Sequence, residues 1–442
     1  MAISAPRVAA FEILLRVERE DAFASELLHS SQYRTLSAPD HHLATELTMG
    51  VLRWRSVLDE KIALHSSLKL NKVDPEVLTA LRLAVYQVTF LDRIPARAAV
   101  HESVELVKRA RKRSAVPFAN AVLRKLVSSD LGAASIEQSK SSSDLARFSA
   151  HPPWLVERWC REFDVQTARQ ICSYDQRVPE TSLVIRDKTV AEELGSHGIR
   201  LAPGRLLASA RCMVAGDLSK VPAALRDQVA IQDEGSQLAA LLLGTGSRIL
   251  DCCAAPGGKT RMLAERNPSA SVIAAELHPH RARLLRTLVT LPNVRVIVAD
   301  ARSLPLAGGF DCVLADVPCS GTGTLARNPE IKWRLRPDAL AALQTKQIEI
   351  LRSAMQHVAA GGTLVYSTCS LEREENPQVV EQALHAHSSF RLRDCAERLH
   401  ELLAEGELAW KDIDSLTHGP YLRTIPGVHP CDGFFAAILE RV

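Results

Sequence analysis

Two cysteines stand in polar runs that close apolar stretches: Asp316-Val317-Pro318-Cys319-Ser320-Gly321-Thr322-Gly323 and Ser367-Thr368-Cys369-Ser370. A thiolate is a strong nucleophile and can split one difficult step into two easier ones. The bland alternative is a small buried hydrophobe, the usual fate of a free thiol. Cys172, Cys212, Cys312, Cys395 and Cys431 keep that reading. A third run, Asp251-Cys252-Cys253-Ala254-Ala255-Pro256-Gly257-Gly258-Lys259-Thr260, joins a strand to a helix. Its small residues and paired glycines let the backbone approach a ligand, and a helix N-terminus presents free N–H groups. Two cofactor readings of this loop compete, beside a merely structural tight turn. A phosphate loop would read G-x-x-x-x-G-K-[ST]. Gly258-Lys259-Thr260 fits its end, but Cys253 replaces the first glycine and Pro256 removes an N–H. A nucleoside cofactor instead needs an acid about 20 positions on to hold ribose hydroxyls. Glu276 stands there, and Asp300 ends the following strand, within reach of the adenine or its ribose.

A nucleoside methyl donor, an acid and a thiol together suit a specific reaction. Carbon 5 of cytosine is a poor nucleophile. A thiolate adding to carbon 6 breaks the aromaticity and puts electron density on carbon 5, which then takes a methyl group from S-adenosylmethionine. An acid must support ring N3 as the adduct forms, and a base must later remove the carbon 5 proton so that the thiol can leave. A free thiol of pKa about 8.5 needs positive charge or oriented N–H groups to ionise at neutral pH. Lys259 is the nearest candidate cation, and Asp316 the candidate acid or hydrogen-bond partner.

The elements that must position these groups follow from periodicity. From Leu238 onward, apolar strands at Arg248–Cys252, Ser271–Glu276, Val294–Asp300, Phe310–Asp316 and Gly362–Ser367 alternate with helical stretches such as Arg281–Leu291 and Pro337–Val358. This alternation predicts an α/β Rossmann-like domain at 226–442, with a parallel sheet covered on both faces. Functional residues in such sheets gather at the carboxyl ends of strands, where every motif above falls. Residues 1–130 repeat apolar side chains at helical spacing, as in Leu43, Leu47, Val51 and Trp54, and predict an all-α bundle. Residues 131–144 turn to Gly, Ala, Ser, Glu and Lys, a linker composition. Residues 145–225 read as a small α/β connector module, with a short helix through Phe163, a strand at Thr181–Ile185 and a helix at Val190–Leu194.

The whole chain has 442 residues, 46% hydrophobic and 24% charged, so neither disorder nor a fibre is indicated. Its formal net charge is +3, so any nucleic-acid surface must be local. The densest basic run is Lys108-Arg109-Ala110-Arg111-Lys112-Arg113, read either as a solvated helix end or as an RNA contact. The ten cysteines include no C-x-x-C pair, which excludes a zinc ribbon or thioredoxin-type centre, and no metal is expected. No run of apolar residues is long enough for a membrane span, and no secretory signal opens the chain. A cytoplasmic protein with reduced thiols is expected, and nothing requires more than a monomer.

The three motifs resemble those of the RNA cytosine-5 methyltransferases, as do Gln232-Asp233-Glu234-Gly235-Ser236-Gln237, Arg327-Asn328-Pro329-Glu330-Ile331-Lys332-Trp333 and Asp432-Gly433-Phe434-Phe435. The resemblance implies that Cys369 is the nucleophile and that Cys319 assists product release; spacing alone does not order the two. It also implies that Cys253, Ala254, Ala255, Pro256, Gly257, Gly258, Lys259, Glu276, Asp300 and Asp316 line the S-adenosylmethionine site. Glu276 is a departure, since many relatives carry Asp there. Amine methyltransferases of similar fold end the fourth strand with Pro-Pro and an aromatic residue, where Val317-Pro318-Cys319 stands here, which favours ring carbon as target. Residues 5 to 128, with His101-Glu102-Ser103-Val104-Glu105-Leu106-Val107-Lys108 and Pro117-Phe118-Ala119-Asn120-Ala121-Val122-Leu123, are similar to the RNA-binding NusB family. A NusB-like domain ahead of this catalytic domain marks a bacterial subgroup acting on 16S ribosomal RNA. RNA contacts are therefore expected at Lys108, Arg109, Arg111, Lys112, Arg113 and Lys332, with Trp333 either a stacking platform or core. Two alternatives remain: a transfer RNA cytosine-5 methyltransferase, and a non-catalytic RNA-binding assembly factor that kept a cofactor pocket.

Overall fold

Proline and polar caps open the long N-terminal helices. Ser37 accepts the Asp40 N–H at 3.3 Å ahead of α3 (Ala38–His65), and prolines occupy the first turns of α1 (Ala5–Arg19), α3, α4 (Pro75–Phe90) and α6 (Val116–Ser128). A proline there gives up only an N–H that has no helical partner. With α2 (Ala24–Leu28) and α5 (Ala96–Arg109), these helices bury Ile13, Leu47, Leu81, Leu106 and Leu123 in one core. The structure, a computed structural model, describes residues 3–33, 35–129, 135–185 and 187–442. Its contacts divide the chain into two units, Met1–Val178 with Leu325–Arg334, and Pro179–Thr324 with Leu335–Val442.

These bounds differ from those expected. Of the linker at 131–144, residues 131–134 lie outside the described residues, and the rest forms a short turn at Ile136–Gln138 and the start of α7 (Ser142–Phe148). The connector at 145–225 is divided. The end of α7, with α8 (Pro153–Glu162) and α9 (Val165–Asp175), belongs to the helical unit, and the part from Pro179 on, its strands with two short helices, belongs to the second unit.

The larger surprise is Leu325–Arg334, a piece of the catalytic sequence that belongs to the helical unit. It holds α15 (Ile331–Arg334), whose Lys332 Nζ donates to the Arg53 carbonyl at 2.9 Å and whose Trp333 Nε1 donates to that of Leu52 at 2.6 Å. Arg334 donates to the carbonyls of Val17 and Asp21, and the Ala24 N–H donates to Glu330 Oε1 at 2.9 Å. Lys332 is only 1% exposed, so it makes no phosphate contact, and Trp333 is held against α3 rather than presented for stacking. Burial pushes the Lys332 ammonium down to about 7, with Asp175 opposing and Arg53 adding to the shift. In the unfolded chain a lysine titrates near 10.4. Between pH 7 and 10 the unfolded state therefore binds more protons, and stability rises with pH. Urea midpoints across this range should show wild type gaining on Lys332→Met by up to about 1.4 kcal/mol per pH unit. Parallel curves for the two proteins would contradict this.

The second unit contains two sheets. The small one, in order β2-β3-β1-β4, is antiparallel and comprises β1 (Thr181–Ile185), β2 (Arg200–Pro203), β3 (Ala210–Ala215) and β4 (Val229–Ile231), with α10 (Lys188–Ser196) and α11 (Ala223–Arg226). After α12 (Glu234–Leu241) come β5 (Arg248–Asp251), α13 (Gly258–Arg266), β6 (Ser271–Glu276), α14 (Pro279–Leu288), β7 (Val294–Val298) and β8 (Phe310–Asp316). Then follow α16 (Ala339–Gln356), β9 (Val358–Thr368), α17 (Pro377–His385), β10 (Phe390–Arg393), α18 (Cys395–Ala404), β11 (Thr417–His418), β12 (Tyr421–Thr424) and β13 (Phe434–Arg441).

The main sheet runs β11-β12-β13-β9-β8-β5-β6-β7, with β10 also on β13. The five expected strands, β9-β8-β5-β6-β7, are parallel; β10 to β13 add an antiparallel flank that the alternation did not reveal. Successive strand residues serve opposite faces: Ile249 and Leu314 pack in one core with α12, α13 and α18, while Leu250 and Val313 pack in another with α16 and α17. The chain leaves β5 toward β6 on one side and returns to β8 on the other, so a crevice opens beyond their carboxyl ends.

Candidate active site

Strand register sets the site. Asp316 lies opposite Ser367 on the adjacent parallel strands β8 and β9, so the loops carrying Cys319 and Cys369 leave the sheet side by side. The two sulfurs are 3.4 Å apart, and both residues are half-buried. Cys172, Cys212, Cys312, Cys395 and Cys431 are all buried.

Beside the thiols, Lys259 Nζ donates to Asp316 Oδ2 at 2.9 Å, and the Ser367 hydroxyl donates to Asp316 Oδ1 at 2.7 Å. Burial alone would discharge Lys259, but Asp316, Cys369 and Asp251 together hold its ammonium above the ordinary lysine range. It is therefore a fixed positive charge next to Cys369. Cys319 is raised well above the usual thiol range by its hydrogen bond to Cys369 and by burial.

The glycine loop follows β5. Asp251, pushed up to about 6 by burial, accepts from the Thr260 hydroxyl at 2.6 Å and so ties the strand end to α13. Gly257 begins that helix at φ +120°, and a Cβ there would stand 2.5 Å from Leu285 Cδ1, so glycine is required twice over. Cys253, Ala255, Glu276, Asp300, Asp316, Cys319 and Cys369 line one cavity of about 290 Å³. Glu276 is buried; its Oε1 accepts the His278 N–H at 2.9 Å, and among the described residues no hydrogen bond reaches its other oxygen. Asp300 holds Arg302 through both oxygens and stays below the usual carboxylate range, first through the Arg302 side-chain bond. Ala254, Pro256, Gly257, Gly258 and Lys259 line a second, adjoining cavity.

Sequence reasoning missed the group that fixes both cysteine loops. Glu375, fully buried, accepts from the Ser320 N–H at 2.8 Å, the hydroxyls of Ser320 and Ser370, and the Gln347 amide at 2.8 Å. The Tyr366 hydroxyl donates to the Glu375 carbonyl at 2.6 Å. A carboxylate that collects several donors in a dry site holds them rigidly. Gly323 completes the clamp: its N–H donates to the Cys369 carbonyl at 2.9 Å, and Gly433 backbone packs too close to admit a Cβ.

The basic run is only partly available. Lys108 pairs with Glu105 at 2.6 Å, Arg109 with Glu12 at 3.1 Å and Lys112 with Asp74 at 3.1 Å, whereas Arg111 and Arg113 are exposed and form no ion pair among the described residues. Among those residues, no group of three or more His, Cys, Asp or Glu could hold a metal ion. No described helix is long and apolar enough to cross a membrane.

Comparison with known proteins places this geometry in context. Residues 239–440 match the family described as 16S rRNA methyltransferase RsmB/F, and residues 4–128 match the NusB family. The Bacillus subtilis (strain 168) protein named "Probable ribosomal RNA small subunit methyltransferase B" is 32% identical, over 98% of each chain. The ribosomal RNA small subunit methyltransferase B of Vibrio cholerae is also 32% identical, over 98% of this chain and 97% of its own. The crystal structure of PH0851 has the same fold, with a TM-score of 0.82 and 23% identity over the whole of both chains. With a region matching NusB ahead of one matching RsmB/F, and relatives of 32% identity over nearly the whole chain, the chain belongs to the RsmB/F family of S-adenosylmethionine-dependent 16S rRNA methyltransferases.

Proposed function

We propose that the chain methylates carbon 5 of a cytosine in 16S ribosomal RNA through a covalent bond between Cys369 and carbon 6. The observation that carries this reading is the 3.4 Å pair of Cys319 and Cys369 beside the Lys259–Asp316 ion pair. A binding module has no use for two thiols there.

S-Adenosylmethionine supplies an electrophilic methyl group. Glu276, through its open oxygen, would take the ribose hydroxyls, and Asp300 the adenine side of the same cavity. Lys259, held charged by Asp316, lies in the field of Cys369 and would stabilise a thiolate there; this favours Cys369 as the attacking thiol. The Cys369 sulfur adds to carbon 6, and the electron pair moves through carbon 5 toward ring N3. Ring N3 takes up a proton from water as the adduct forms, and Asp316, which accepts from Lys259 and Ser367, would accept the resulting N3–H. After methyl transfer a base removes the carbon 5 proton, the carbon 5–carbon 6 double bond re-forms, and Cys369 leaves with Cys319 assisting. The target base must be unstacked to reach these groups. Arg111 and Arg113 are the side chains of the basic run that remain for phosphate contacts, with Lys108, Arg109 and Lys112 available only by exchanging partners.

Bisulfite sequencing of total RNA from cells with and without the protein should show one protected cytosine in 16S ribosomal RNA that is lost with the protein. Protection lost only from transfer RNA, or nowhere, overturns the reading.

A further inference from the structure

The outer rim of the main sheet carries charges that the cofactor site does not use. β7 is the last strand of that sheet, and α14 packs Leu285, with Val289 just beyond it, against Val294 and Val296. Between Glu276 and Asp300 the chain has no Asp or Glu, but it has His278, His280, Arg281, Arg283, Arg286 and Arg295. All six are exposed. Arg281 donates to the Ala255 carbonyl at 3.2 Å and Arg286 to that of Val296 at 3.1 Å, and none of the four arginines forms an ion pair among the described residues. Side chains alternate along a strand, so Arg295 projects from the face of β7 opposite Val294 and Val296, and the charges wrap the rim. Leu277, Leu284, Leu288 and Val298 on the same rim are 41% to 52% exposed.

An ordinary solvated helix face mixes charges of both signs. α13 and α18 do so: Arg261 pairs with Glu265 at 2.8 Å, and Arg398 with Glu401 at 2.9 Å. α14 has no acid, so its arginines repel one another until an anion neutralises them. A lipid surface is a poor fit, because α14 turns its apolar face to β7 and its exposed leucines stand among arginines. A nucleic-acid backbone fits well, since it presents a line of negative charges to an acid-free basic strip. The position of the strip points the same way. Leu277, His278 and Arg281 line the cavity that holds Cys319 and Cys369, so the strip begins at its mouth and follows α14 away from it. At ~1.5 Å of rise per residue, Arg281 to Arg286 covers about 8 Å.

A cytosine held in the cavity stays joined to phosphates on both sides, and the nearest of these must lie at its mouth. We propose that Arg283, Arg286 and Arg295 form a track for the phosphate backbone of 16S ribosomal RNA beside the target cytosine, outside the cofactor cavity. The inference rests on the reading of that RNA as the substrate.

The test uses full-length protein, labelled S-adenosylmethionine and a 16S ribosomal RNA transcript, with RNA affinity read by direct binding over a range of salt. One variant combines Arg283→Gln, Arg286→Gln and Arg295→Gln; a second combines Arg283→Lys, Arg286→Lys and Arg295→Lys. Arg281 is left in place because it lines the cofactor cavity. The Gln variant should bind the RNA about tenfold or more weakly at about 0.1 M salt, and its slope of log affinity against log salt should fall by about two to three. Its cofactor affinity and its kcat at saturating RNA should remain those of wild type. The Lys variant keeps the charges and should keep the slope. Equal RNA affinity and equal slope in the Gln variant and wild type overturn the proposal. So does a loss of RNA affinity that the Lys variant shares in full, since charge would then not be what holds the RNA. A loss confined to cofactor affinity also overturns it, and would make α14 part of the cofactor wall. If wild type binds the transcript through these arginines but transfers no methyl group to it, the reading of the function fails and the track stands.

Discussion

Cys369→Ala should lower methyl transfer by at least about 10⁴-fold, as expected when the nucleophile of a covalent mechanism is removed. Cofactor binding should stay intact, because Glu276 and Asp300 lie on other strand ends. Cys319→Ala should behave differently: the adduct forms but release fails, so a covalent RNA–protein species accumulates and survives a denaturing gel. The double variant should form none. The sulfurs are in mutual contact, and distance cannot order them. What distinguishes them is their surroundings. Lys259 stands in the field of Cys369, and the resemblance gives Cys369 as the nucleophile. If Cys369→Ala trapped the adduct and Cys319→Ala did not, the roles would be exchanged.

The second large effect is expected at Asp316. Asp316→Asn keeps the shape but removes the charge that fixes Lys259 and the acceptor for protonated N3. Transfer should fall by about 10²–10⁴-fold, the range of a lost acid–base or electrostatic partner. Cofactor affinity should weaken far less. Lys259→Met should cost a similar factor, and combining the two should cost little more than either alone, since each variant already breaks the same pair. Single-turnover rates with separately measured cofactor binding make the check. Additive losses would mean that the 2.9 Å ion pair is incidental to the chemistry. A drop confined to cofactor affinity would restrict Asp316 to a binding role.

Much of the architecture was legible in the chain. Ser271–Glu276 and Phe310–Asp316 form strands at the bounds read from their apolar runs, and the glycine loop opens a helix as its composition required. These features depend on neighbours a few residues away. The antiparallel flank of β10 to β13 escaped because its strands are brief or lack alternation, and β13 is apolar over Phe434–Leu439 since it is buried on both faces. Lys332 was misread for a related reason. A lysine beside a tryptophan in a polar run has the composition of an RNA contact, and only its packing against α3 reveals a buried donor to Arg53.

The sequence by itself determined which chemistry was available: two thiols, a glycine loop, and acids at successive strand ends. That much follows from residue type and local period, which are written along the chain. Tertiary structure decided which of these groups meet. Cys319 and Cys369, fifty residues apart, touch only because β8 and β9 are paired in register. Glu375 carries no local signal at all, and its role comes entirely from donors on three other segments. A hydrogen bond depends on where the chain returns, and that is settled by packing, not by any short stretch of residues.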